Sequence, residues 1–111
     1  MYIYCLSLYI KKDGKTMLYG TAKNLSHVNY FARKNTVELI DFFLKQICEH
    51  LDKNGFECIV KDEYKCYVLV KDNLYYALAA DRELPQNIAY NICYNLSLKS
   101  LDEIDLNKNN F

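Results

Sequence analysis

The chain has 111 residues, 51% of them hydrophobic and 25% charged, and its 14 basic and 14 acidic side chains cancel to a net charge of zero. That length fits one domain able to bury a single core without disulfides or a structural metal. Balanced charge speaks against a general nucleic-acid binder, which needs a basic face, and against electrostatic capture on a membrane.

Tyr2 to Ile10 is rich in aromatic and β-branched residues and predicts a buried strand. It lacks the preceding basic residues of a secretory signal and is too short to cross a bilayer as a helix, so a soluble chain is expected. Asp13-Gly14 is a two-residue hairpin signal, because both positions must accept positive φ. The returning strand is expected over 16–22. Residues 23–35 read as polar and irregular, with the aromatic pair Tyr30-Phe31 inside them.

A helix is predicted over 36–53. Asn35 or Thr36 would cap it, Glu38 would sit in its first turn, and Lys53, Asn54 and Gly55 would end it. Three strands follow over 56–61, 64–71 and 74–80, joined by Asp62-Glu63 and Asp72-Asn73 as tight antiparallel turns. Pro85 opens a second helix whose buried stripe is Ile88, Ala89, Ile92, Cys93 and Leu96. Residues 101–111 are a polar tail or the start of a third helix. The order β-β-α-β-β-β-α over residues 1–100 predicts an α+β fold, a five-stranded mixed but mainly antiparallel sheet covered by helices.

The first helix carries more apolar surface than one core needs. At about 100° per residue, Val37, Ile40, Leu44, Ile47, Cys48 and Leu51 form a complete core stripe. Phe43 falls at its edge, Leu39 further round, and Phe42 almost opposite. Either the loop around Tyr30 and Phe31 covers Phe42, or Leu39, Phe42 and Phe43 line a groove for an apolar ligand.

Little in the chain suggests catalysis. The five cysteines, Cys5, Cys48, Cys58, Cys66 and Cys93, are odd in number, widely spaced and without a CxxC pair, so they read as reduced thiols inside a cell. Cys48 and His50 stand two apart on a helix and so do not face each other. His27 has no obvious partner. No metal spacing and no glycine-rich phosphate loop is present, so neither a cofactor nor an enzymatic role is expected. The strand tyrosines Tyr2, Tyr4, Tyr9, Tyr75 and Tyr76 read as structural.

Three stretches, "YIYCLSLYIKKDGK", "NYFARKNTVELIDFF" and "YALAADRELPQNIAYNI", together resemble the longin domain of vesicle-fusion R-SNAREs. The nearest likeness is to the R-SNARE type that lacks a transmembrane segment and is held on membranes by prenyl and palmitoyl groups. Its most specific parts are Tyr30, Phe31 and Arg33, and the element Asp81, Glu83 and Pro85, where the usual apolar position before Pro85 is Leu84. The resemblance implies a profilin-like α-β-α sandwich that controls vesicle fusion by folding back on its own SNARE region or lipid. It matches Phe42 to an exposed phenylalanine central to that apolar surface, with Leu39 and Phe43 beside it. It implies that the third helix, the SNARE region and the lipidated cysteines would stand outside these 111 residues. In the longer protein it further implies pairing with other SNAREs and a cytoplasmic location, cycling to Golgi, endosomal or vesicle membranes. The domain by itself is expected to be a monomer. A longin-like adaptor subunit of a vesicle coat or tethering complex, the alternative, would instead form a permanent oligomer.

Overall fold

Two-residue turns set the sheet. In the computed structural model, which describes residues 2–104, Asp13 and Gly14 have φ of 53° and 76°, and Asp72 and Asn73 have φ of 50° and 67°. Positive φ at both central positions gives a turn whose twist matches the strands it joins, and Asp, Asn and Gly are the residues that tolerate it. These turns join β1 (Ile3–Lys12) to β2 (Lys15–Lys23) and β4 (Tyr64–Lys71) to β5 (Leu74–Asp81). Asp62, with φ of 55°, turns β3 (Gly55–Lys61) into β4.

The strands lie in the order β2-β1-β5-β4-β3, and all four pairings are antiparallel. The parallel pair expected of a mixed sheet is not present among the described residues. α1 (Arg33–His50) carries the chain from the β2 edge to the opposite edge, where, among the described residues, β3 pairs with β4 alone.

Side chains alternate between the two faces of each strand. On β5, Tyr75, Ala77 and Ala79 face the core under α1, while Tyr76, Leu78 and Ala80 face the core under α2 (Gln86–Ser97). The sheet is therefore apolar on both sides and needs a helix on each, which makes the α-β-α sandwich. Ile40, Leu44 and Cys48 bury the inner stripe of α1, and Ala89 and Cys93 that of α2. Ile88 is 39% exposed and falls off the α2 stripe assigned to it. Burial pushes the thiols of Cys48, Cys66 and Cys93 up to about 12. They are packing groups, held neutral.

Both ends of α1 differ from expectation. Tyr30–Ala32 form a single 3-10 turn that runs straight into α1 at Arg33. Asn29 accepts the Phe31 N–H at 3.0 Å, so Asn29 caps the combined helical run. Thr36, already inside the helix, donates its hydroxyl to the Ala32 carbonyl instead of capping, and Glu38 lies beyond the first turn. At the other end Leu51 is already extended, with φ −95° and ψ 125°. Lys11 Nζ donates to the Leu51 and Glu49 carbonyls at 3.0 and 3.4 Å, and the Tyr75 hydroxyl donates to Leu51 as well. Side-chain donors thus satisfy carbonyls that residues 51–53 would otherwise have kept helical.

After α2, Leu101–Glu103 form one 3-10 turn closed by reciprocal Ser100 and Glu103 hydrogen bonds. Ile104 is buried against the α2 core. The third helix expected to begin in 101–111 falls largely on residues outside those described.

Candidate functional site

α1 packs mainly on β5, β1 and β2. It leaves the inner face of β3 uncovered at the sheet's far edge. The two-residue turn after Lys61 fixes the parity of β3, so that Ile59 and Lys61 point to the α1 side while Phe56 packs with the α2 core. The result is a groove between the C-terminal half of α1 and β3. It has a volume of about 300 Å³ and is lined by Phe43, Gln46, Ile47, His50, Leu51, Ile59 and Lys61.

The groove is apolar along its floor and polar at its rim. Ile47 and Leu51 pack against the core from one side and face the cavity from the other. The Lys61 ammonium stands 5.5 Å from the centre of the Phe43 ring, close enough for a cation–π attraction. His50 Nδ1 is 2.7 Å from the Gln46 carbonyl, which ties the rim back to its own helix.

Of the three residues assigned to the second face of α1, the structure separates one. Leu39 and Phe42 are 39% and 61% exposed, but Phe43 is buried at 9%. Phe43 is a wall of the core and of the cavity, not part of an exposed stripe. The rings of Phe42 and Phe43 are 6.1 Å apart, so apolar surface runs without a break from exposed Phe42 to the cavity. The loop leaves Phe42 uncovered, since Phe42 itself keeps 61% of its surface exposed, and Tyr30 and Phe31 are exposed as well. Ile47, Leu51, Ile59 and Lys61 also line the groove, and helical spacing on α1 alone does not single them out. The available signal was the period-2 alternation of β3 anchored by the Asp62-Glu63 turn.

The other motif residues build local structure away from the groove. Arg33 donates through Nε to the Val28 carbonyl at 3.1 Å and through a terminal nitrogen to Ser26 at 3.4 Å, and its guanidinium lies 5.6 Å from the Tyr30 ring. It clamps the loop that enters α1. Asp81 accepts the backbone N–H groups of Tyr2 and Glu83 at 2.8 and 3.1 Å. Burial opposes ionisation there, yet these donors hold its carboxyl below the ordinary value. Glu83 and Pro85 are exposed in the turn that starts α2, while Leu84 between them is a core residue whose carbonyl accepts the Tyr67 hydroxyl at 3.0 Å. His27 does have neighbours: it stacks on Tyr2 at 3.9 Å and meets Tyr4 at 4.8 Å.

Among the described residues, no group of three or more His, Cys, Asp or Glu side chains is placed to hold a metal. Cys5, Ser7 and Thr21 form a buried hydrogen-bonded cluster, and burial raises the Cys5 thiol. No helix among these residues is long and apolar enough to cross a membrane.

Comparison with known proteins places the chain in a family. A family model described as Longin, the regulated-SNARE-like domain, matches residues 25–99. A synaptobrevin homolog, ykt6, of Schizosaccharomyces pombe (strain 972 / ATCC 24843) is 30% identical over 110 residues, covering 98% of this chain and 53% of the relative. The chain thus spans about half the length of this curated relative.

Proposed function

The chain belongs to the longin family of regulated-SNARE-like domains, and from that premise we propose that it is the regulatory domain of an R-SNARE in vesicle-mediated transport. In this reading the groove between α1 and β3 receives an apolar segment of the longer protein, either its SNARE region or an attached lipid. Leu39 and Phe42 form the outer lip. Phe43, Ile47, Leu51 and Ile59 form the floor. The domain is a binding module without a catalytic step, and it reaches a membrane through groups carried elsewhere in the longer protein.

One observation carries the reading: the exposed Phe42 ring stands 6.1 Å from Phe43, which lines an apolar cavity of about 300 Å³. Water in such a space gains few hydrogen bonds, whereas an apolar chain removes the lining from water at roughly 25 cal/mol per Å². Fully burying the Phe42 side chain contributes roughly 1.5–3 kcal/mol. That is enough to shift a closed–open equilibrium tenfold or more, provided the segment prefers one form. The closed form keeps SNARE region and lipid from fusion partners, and a competitor for the groove opens it.

A farnesylated peptide, titrated into the 111-residue chain and followed by tyrosine fluorescence, tests this. Saturable binding that Phe42→Glu weakens at least about tenfold, with thermal unfolding unchanged, supports the groove. Equal binding by wild type and variant removes Phe42 from the site.

A further inference from the structure

The groove's outer wall is β3, which is an edge strand of the sheet among the described residues. β3 pairs with β4 on one side only, in unbroken register from Gly55↔Val70 to Lys61↔Tyr64. Lys61 and Tyr64 flank a two-residue turn and so form a hydrogen-bonded pair. By alternation the backbone groups of Phe56, Cys58 and Val60 point outward, with no strand beside them among the described residues. Proteins usually blunt such an edge with a bulge, a proline or repeated charge of one sign. The opposite edge has its device, since the β1–β2 register shifts between Leu8 and Tyr9 and β2 begins and ends in lysine. β3 has no shift and no proline. Its edge carries exposed Cys58 and, at 47%, Val60.

The charges on β3 are of opposite sign and evenly placed. Glu57 and Lys61 stand two residues either side of Ile59, all three on the α1 face of the strand. We propose that two copies of this chain associate through antiparallel β3–β3 pairing centred on Ile59. In that register Ile59 meets Ile59 of the second copy, Glu57 meets its Lys61, and Lys61 meets its Glu57. On the other face Cys58 lies opposite Val60. The outward backbone groups of both strands fall opposite each other, as the ladder requires. Shifting the pairing by one ladder step away from the turn sets Glu57 against Ile59 and Lys61 against Gly55, and shifting it one step toward the turn sets Lys61 against Ile59 and Glu57 against Glu63, a like charge. Shifting by two places Glu57 against Glu57 or Lys61 against Lys61. Only the Ile59-centred register is satisfied by charge, and it is isologous, so it closes as a dimer and does not grow.

Pairing joins the two sheets into one of ten strands, with both α1 helices on the same side. The two grooves then meet across the dyad as one cleft, and the second copy's Glu57 offers Lys61 a partner other than the Phe43 ring. This consequence for the groove rests on the function proposed above; the pairing itself does not. A single strand edge buries far less than a standard stable interface, so the dimer is reversible and forms where copies are concentrated.

Sedimentation of the 111-residue chain from roughly 10 µM to roughly 1 mM tests the proposal, with wild type, Glu57→Lys, Lys61→Glu and the double exchange compared. Both positions of change, Glu57 and Lys61, are exposed, and circular dichroism checks that each variant folds. Reversible dimerisation, weakened about tenfold by either single reversal and restored by the double exchange, is expected because each single reversal sets like charges directly opposite twice. A chain monomeric throughout the range, or a dimer indifferent to the exchanges, overturns it. Peptide binding measured at low concentration, where the chain is monomeric, reports on the groove separately, so either idea can fail alone.

Discussion

Phe42 and Phe43 are consecutive in the chain with ring centres 6.1 Å apart, yet Phe42 is 61% exposed and Phe43 only 9%. One residue of helix rotation separates a lip from a wall. The two positions therefore respond differently to change. Phe42→Glu is expected to alter unfolding free energy by no more than about 0.5 kcal/mol, as surface substitutions do. Phe43→Ala removes a buried aromatic and is expected to cost about 3 kcal/mol. Urea unfolding of both variants checks this. A large loss at Phe42 would mean that its ring is core.

The entry to α1 supplies a second prediction. Asn29 accepts the Phe31 N–H at the start of the helical run, whereas Thr36 only bonds back to the Ala32 carbonyl. Asn29→Ala is expected to destabilise the fold by about 1 kcal/mol, the usual worth of an N-cap. Thr36→Ala is expected to change little. Thermal unfolding of the pair distinguishes the caps, and the reverse order would place the helix start where the sequence pattern first suggested it.

Alkaline pH supplies a third. Burial raises Cys48, Cys66 and Cys93 from the ordinary 9.0 to about 12 in the folded chain. Between those values the unfolded chain has lost thiol protons that the folded chain keeps, so stability falls as pH rises. The contribution is complete below about pH 9 and is withdrawn as pH climbs toward 12, by roughly 1.4 kcal/mol per pH unit for each thiol. Tm measured from pH 8 upward is expected to be flat at first and then to fall. Cys93→Ala, with no thiol at that position, is expected to fall less steeply. A flat profile to pH 11 would contradict the neutral, buried thiols.

Much of the fold was legible in the sequence because local chemistry dictated it. Asp13-Gly14 and Asp72-Asn73 are turns that positive φ demands, and Ile40, Leu44 and Cys48 stand at the spacing a helix needs to face a sheet. Less legible was anything set by neighbours distant in the chain. Nothing local says that β1 and β5 pair side by side, or that all pairings are antiparallel. The groove shows the same divide. Phe42 pointed outward from helical spacing alone, but Phe43 sits on the boundary of the stripe, where a few degrees decide burial. Its fate was settled by β3, which leaves the space that Phe43 and Ile59 line. Arg33 and Asp81 stood out as motif residues, yet each serves a turn: one clamps the loop into α1, the other holds Tyr2 and Glu83.

The most direct test of the groove is an NMR titration of the 111-residue chain with the farnesylated peptide, following backbone amides. Saturable shifts are expected at Leu39, Phe42 and Phe43 on α1 and at Ile59 and Lys61 on β3, with the amides of α2 unmoved. Shifts confined to α2, or none at saturating peptide, would contradict a groove between α1 and β3 that holds an apolar segment.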